Sequence, residues 1–179
     1  MFKRKDPQAA QSTKNEFTAL VLLFAALFGF YVRLANVLPS DFPINDGGLF
    51  YSMTRDLQVN GYRLPAFTSY NAAGIPFAYP PLPFYLAGFL SQLFKWDLLD
   101  IFRILPAIIS MAALPGLYWL AKDLLKSEPQ AALACLVFAL TPGAFSWLIM
   151  GGGLTRGLGL AFALRTLHQA YLLYQTQKI

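Results

Sequence analysis

Residues 17–38 read FTALVLLFAALFGFYVRLANVL, and this stretch decides the fold. At 1.5 Å rise per residue, a helix over it is roughly 33 Å long, enough to cross a bilayer core. Arg33, near its far end, is expected to snorkel to the membrane interface. Leu38-Pro39-Ser40-Asp41 then ends the helix. The run is longer than the apolar core of a secretory signal and no A-x-A cleavage pattern follows, so it reads as a retained anchor. The residues before it carry Lys3, Arg4, Lys5 and Lys14. That flank predicts a cytoplasmic tail over 1–16 by the positive-inside rule.

Composition agrees with the anchor. Of the 179 residues 56% are apolar and only 13% charged, against about a quarter charged in a soluble domain. Much of the net charge of +5 sits in the basic flank, which argues for a membrane boundary and against nucleic acid as a partner. The single cysteine, Cys135, lies in an apolar run. It allows no disulfide framework within one chain and reads as a small buried hydrophobe.

Beyond the anchor, residues 39–100 form a long loop rich in Pro, Gly and aromatic residues. A short amphipathic helix is predicted from Gly48 to Asn60, with Leu49, Phe50, Met53 and Leu57 on one face and Gly61 as its stop. Such a helix lies in the interface. From Leu64 to Phe94 there is no charged residue, yet Pro65, Pro76, Pro80, Pro81 and Pro83 exclude a span over the first half. Irregular backbone cannot face lipid with its N–H and C=O groups unpaired. Pro83–Phe94 reads either as a short span or as a second interfacial helix.

Further spans are expected at 101–121, 131–150 and 157–174. If 83–94 does not cross, Lys122 and Lys126 fall on the cytoplasmic side with the Lys178 end, as the positive-inside rule prefers. The expectation is an all-α, multi-pass transmembrane helical protein with about four spans and an outer loop over 39–100. Residues 17–179 then form a truncated transmembrane domain with the N-terminus cytoplasmic, in the plasma (inner) membrane if the protein is bacterial. No internal repeat at a solenoid period is visible.

Three motifs carry a resemblance: Ile44-Asn45-Asp46-Gly47-Gly48-Leu49-Phe50-Tyr51, then Tyr79-Pro80-Pro81-Leu82-Pro83-Phe84-Tyr85, then Arg103-Ile104-Leu105-Pro106-Ala107. In this order, after a first span, they resemble the N-terminal portion of the GT-C fold membrane glycosyltransferases, such as the protein O-mannosyltransferases, the lipid A aminoarabinose transferases and the glycosyltransferase 39-like group. The family's acidic motif is often Asp-Glu, where Asp46 is followed by Gly47, and a lysine is common where Tyr79 stands. The resemblance implies a longer protein, of which this chain is a fragment, acting on a polyprenyl-phosphate-linked sugar at the outer membrane face.

Sugar transfer of that kind needs a carboxylate to take the acceptor's proton and positive charge to receive the phosphate leaving group. Asp46 is the candidate catalytic base by resemblance; its position equally suits an N-cap of the following helix. The candidate substrate-binding residues are Arg103, which stands first by its match to the family pattern, with Arg156, Arg55, Tyr79 and Tyr70. The arginines also read as interfacial anchors and the tyrosines as part of an aromatic belt. The donor is a substrate, and no cofactor is implied beyond it. Gly151–Arg156 carries no acid, so no metal site is read there, and the need for a divalent metal stays open. The partners are membrane lipid, the polyprenyl-phosphate sugar and an acceptor of unknown identity.

Arg165 and His168 lie three residues apart within the last span, where ionisable groups face protein or water. They read as packing against later spans or as a polar network. Two rival functions stand beside the first. One is a transporter or channel subunit, built on broken apolar segments. The other is a non-catalytic membrane assembly protein of the same fold.

Overall fold

The computed structural model describes residues 7–176, so Lys3, Arg4, Lys5 and Lys178 lie outside the described residues. Among the described residues the regular structure is entirely helical. Helix α1, Pro7–Val37, begins well before the apolar run. Of the stretch expected as a tail, residues 7–16 belong to the same helix, supported by i,i+4 bonds from Gln11 Nε2 to Asn15 and from Ser12 Oγ to Glu16 (3.1 and 2.9 Å). Pro39 ends it, because proline has no N–H to continue the ladder.

Helix α2, Gly47–Val59, is the expected amphipathic helix. It buries Phe50, Met53, Thr54 and Leu57 and stops at Gly61, whose φ of +60° suits glycine. The proline-rich segment after it satisfies its backbone within the protein. Thr68 N–H donates to Ile75 O (2.9 Å) and Phe77 N–H to Ala66 O (3.0 Å), closing a short antiparallel bridge. The Asp56 carboxylate clamps its base, accepting from Thr68 Oγ1, Ser69 N–H and Ser69 Oγ at 2.8, 2.7 and 2.6 Å.

Helix α3, Leu82–Phe94, carries Pro83 in its first turn, where a missing N–H costs nothing. Its 13 residues make about 20 Å, too short to cross a 30 Å core unaided. It buries Phe84, Ala87 and Gly88, with Gln58 Nε2 of α2 donating to Gly88 O (3.1 Å). Helices α4, Leu98–Met111, and α5, Ala113–Leu125, continue as one apolar rod of 28 residues. Asp97 starts it by accepting from Leu99 N–H (2.8 Å).

Helix α6 runs over Glu128–Leu140 and α7 over Pro142–Phe145. The straight span expected at 131–150 is not what forms: the chain bends by 80° between Glu128–Leu140 and Pro142–Leu148. Thr141, standing before Pro142, is extended (φ −77°, ψ 114°), because proline's ring excludes the helical region for its predecessor. Helix α8, Gly153–Thr176, holds the expected 157–174 segment. It approaches its neighbours closely at glycines: a β-carbon on Gly116 of α5 would lie 3.1 Å from Leu164, and one on Gly157 3.0 Å from Ile109.

Two helical stretches, Gln11–Val37 and Leu98–Leu125, are long and apolar enough to cross a membrane, or up to three if the bent pair counts as one. Helix α8 is not among them; Arg156, Arg165, His168 and its glutamines dilute its apolar character. The bundle has two distinct ends. At one, the start of α1 (Gln11, Lys14, Thr18) and the α5–α6 turn (Lys126, Ser127, Glu128) line a common crevice. At the other, Val37 packs with Ala107, Phe145 and Ile149, and α2 and α3 cover α4 through Phe50, Phe84 and Phe102.

Of three ionisable residues read within the spans, Arg33 departs from expectation, while Arg165 and His168 join the polar network that is one of their two readings. Arg33 does not snorkel: it is fully buried, donating to Ser110 Oγ (2.8 Å), Gly29 O (2.8 Å) and Ala139 O (2.7 Å), over the Phe145 ring at 4.5 Å. Ala139 O is among the last carbonyls of α6, which the break at Thr141 leaves without helical partners. Arg33 is thus the C-terminal cap of a helix more than a hundred residues away. Arg165 and His168 find partners within the chain, on α5: Arg165 lies 3.7 Å from the Trp119 ring centroid, and His168 Nε2 lies 2.7 Å from Asp123 Oδ2.

Candidate active site

Two glycine-rich turns meet at the loop end of the bundle. One is Ile44–Gly48, between α1 and α2; the other is Gly151–Gly153, at the head of α8. Gly151 N–H donates to Ile44 O (3.0 Å), and Asn45 Nδ2 reaches Met150 Sδ at 3.3 Å. Asn45 sits at φ +61°, a left-handed position that asparagine tolerates. The backbones touch so closely that side chains are excluded. A β-carbon on Gly151 would run into Gly47, 2.6 Å from its nitrogen, and one on Gly152 would lie 2.5 Å from Asp46 Oδ2 and 2.9 Å from the Phe50 ring.

Asp46 sits at this junction. Its Oδ1 accepts from Gly152 N–H (2.8 Å), and its Oδ2 is ion-paired with Arg156 Nη2. It precedes α2 but makes no side-chain cap there. The carboxylate instead lies at the N-terminal end of α8, where the helix dipole and the first free N–H groups favour negative charge. The N-cap alternative therefore fails for α2. Arg156 is held further by Nη1 donating to Trp147 O (2.8 Å), with its guanidinium 5.4 Å from the Trp147 ring. The pair is not sealed off: the Arg156 and Asp46 side chains are 35% and 25% exposed, and Trp147 beside them is 60% exposed.

Two of the aromatic candidates join this neighbourhood. The Tyr79 ring packs edge-on against Phe50, centroids 4.8 Å apart. Tyr70 lies beside Gly48, where a β-carbon would be 3.4 Å from its ring. The other two arginines are elsewhere. Arg55 is on the exposed face of α2 and has no ion-pair partner among the described residues. Arg103 pairs with Asp100 (3.1 Å) and donates to Ser40 O (3.3 Å), and its Nε is buried without a partner. It does not contact Asp46; the cation that does is Arg156, which lies in none of the three motifs.

Arg103 belongs to a groove of about 490 Å³ lined by Leu90, Lys95, Trp96, Ile101, Ile104 and Ile108, among others. Its walls are mostly aliphatic, with Lys95, Asp97, Asp100 and Arg103 at the polar positions. Among the described residues no group of three His, Cys, Asp or Glu side chains is arranged to hold a metal ion.

Trp147 and the Gly152 N–H are not singled out by the sequence, and Phe50 is read there only as part of an apolar helix face and of the first motif. The run Gly151-Gly152-Gly153 was the available signal, and it reads as flexibility until its partner turn is known. No protein-family model matches the chain, and neither a curated protein nor a solved structure is significantly similar to it.

Proposed function

We propose that this chain is part of a GT-C-like membrane glycosyltransferase that moves a sugar from a polyprenyl phosphate to an acceptor at the outer membrane face. In this reading four segments cross the bilayer: α1, the α4–α5 rod, α6 with its bent continuation, and α8. The basic end, with Lys14, Lys122 and Lys126, is cytoplasmic, and the Asp46 end faces outward.

The observation that carries the proposal is the meeting of Asp46 with Arg156, 110 residues apart in sequence, at an exposed junction flanked by Tyr79, Tyr70 and Trp147. One carboxylate and one guanidinium are what the reaction needs. The acceptor oxygen attacks the anomeric carbon while Asp46 takes its proton. The bond from that carbon to the phosphate oxygen breaks, and its electron pair leaves with the phosphate, whose charge the arginine receives. The aliphatic groove beneath Arg103 is of a kind that accepts an isoprenoid chain. Arg165 and His168, which a transporter would use, are instead engaged with Trp119 and Asp123.

The test is transfer from a radiolabelled polyprenyl-phosphate hexose by membranes carrying the full-length protein. Asp46→Asn should lower the rate by about 10²-fold or more, with membrane insertion unchanged by protease mapping. Full transfer in that variant rejects Asp46 as the base. One observation favours the second reading, a non-catalytic assembly protein of the same fold: both Asp46 oxygens are already engaged in holding two turns together. That reading expects no transfer in the wild-type protein and a loss of thermal stability in Asp46→Asn.

A further inference from the structure

A general base works best with an unpaired lone pair facing the substrate, and both Asp46 oxygens already hold one partner each: Oδ2 is ion-paired with Arg156 and Oδ1 accepts from Gly152 N–H. The two interactions differ in kind. The Gly152 bond comes from rigid backbone, in a turn where no β-carbon fits. The Arg156 bond comes from a long side chain, 35% exposed, that keeps a second anchor on Trp147 O and the Trp147 ring. Arg156 can therefore change its acceptor without leaving the site, while Asp46 stays fixed through Oδ1.

We infer that the Asp46–Arg156 pair is a latch that a phosphate group opens by displacing the carboxylate from Arg156. The inference rests on the transferase reading, and it deepens it by stating when the base becomes active. The phosphate of a polyprenyl-phosphate sugar is a diester that carries one negative charge, as the carboxylate does, but it offers two free oxygens to the planar fork of the guanidinium, whereas Asp46 offers Arg156 only Oδ2 because Oδ1 is held by Gly152 N–H. On arrival it takes Arg156 Nη2, and Oδ2 of Asp46 is released as a proton acceptor while Oδ1 remains on Gly152. Before arrival Oδ2 faces its own cation, so an acceptor or a water molecule competes with Arg156 for that oxygen.

The latch predicts opposite effects of one substitution on two measurements. Equilibrium binding of ³²P-labelled polyprenyl phosphate to the full-length protein in nanodiscs is compared with binding of inorganic phosphate and of phosphatidic acid. Asp46→Asn, which removes the competing charge, should bind polyprenyl phosphate about tenfold tighter than wild type while losing transfer. Arg156→Gln should bind about tenfold weaker, and the double variant should match Arg156→Gln. Unchanged or weaker binding by Asp46→Asn overturns the latch; if that variant also loses transfer, the transferase reading stands without it. Equal tightening for phosphatidic acid and polyprenyl phosphate, with no transfer by wild type, supports phosphate exchange and rejects the transferase. A second measurement avoids Asp46 variants. The part of the tryptophan emission that Trp147→Phe removes should shift as polyprenyl phosphate is added. Constant emission at saturating ligand overturns the latch.

Discussion

At the scale of single residues, the carboxylates divide by what they hold. Asp46 joins two turns through one bond of fixed geometry and one of exchangeable geometry. Asp56 clamps the 66–77 bridge to α2. Burial pushes the Asp56 carboxyl up, but the hydrogen bonds from the Ser69 side chain, the Ser69 N–H and Thr68 outweigh it and hold the group below its ordinary value. A carboxyl lowered by folding stabilises the fold above the ordinary carboxylate range, and that contribution disappears as pH falls through the lowered value. The Ser69 amide resonance, followed in micelles, should therefore titrate with a midpoint below about 3.9, the unperturbed aspartate value. Asp56→Asn should abolish the titration. A midpoint above that value contradicts the clamp.

At the scale of elements, the helices follow from local chemistry, and so they were readable. The apolar run of α1, the amphipathic pattern of α2 and the stop at Gly61 depend on neighbours within a few turns. The break at Thr141-Pro142 was written in the sequence too, but the apolar character of 131–150 masks it. The destinations of the charges were not readable. Arg33 reaches Ser110 and Ala139, 77 and 106 residues away, and Arg156 reaches Asp46 across a similar interval. Nothing local encodes such pairings, and the contact at Gly29 makes the point testable. A β-carbon there would lie 2.9 Å from Ala139 Cβ, whereas Gly159 has open space. Gly29→Val should overpack the α1–α6 crossing by about 1–3 kcal/mol. Each kcal/mol lowers Tm by about 2–4 °C in a chain of this size. Gly159→Val is the control, and equal effects of the two substitutions argue against a tight crossing.

At the scale of the whole molecule, the two ends differ in chemistry, and this sets an expectation for topology. In a Cys135→Ala background, Asn71→Cys lies in the bridge at the Asp46 end, and Lys126→Cys lies at the opposite, basic end. In intact cells a membrane-impermeant maleimide should label Asn71→Cys at once and Lys126→Cys only after permeabilisation. Labelling of both from the same face rejects the proposed orientation. The burial of Arg33 also has a consequence for biogenesis. The ribosome makes α1 long before Ser110 and Ala139 exist, so Arg33 emerges with neither of its distant acceptors available. An unpaired arginine is costly within hydrocarbon, and α1 must first settle with that charge near the headgroups. In the proposed topology Ser110 comes with α4, and the Ala139 carbonyl that the break at Thr141 leaves open is the last of the Arg33 acceptors to be made. Complete seating of the first helix is then expected only after synthesis of the sixth.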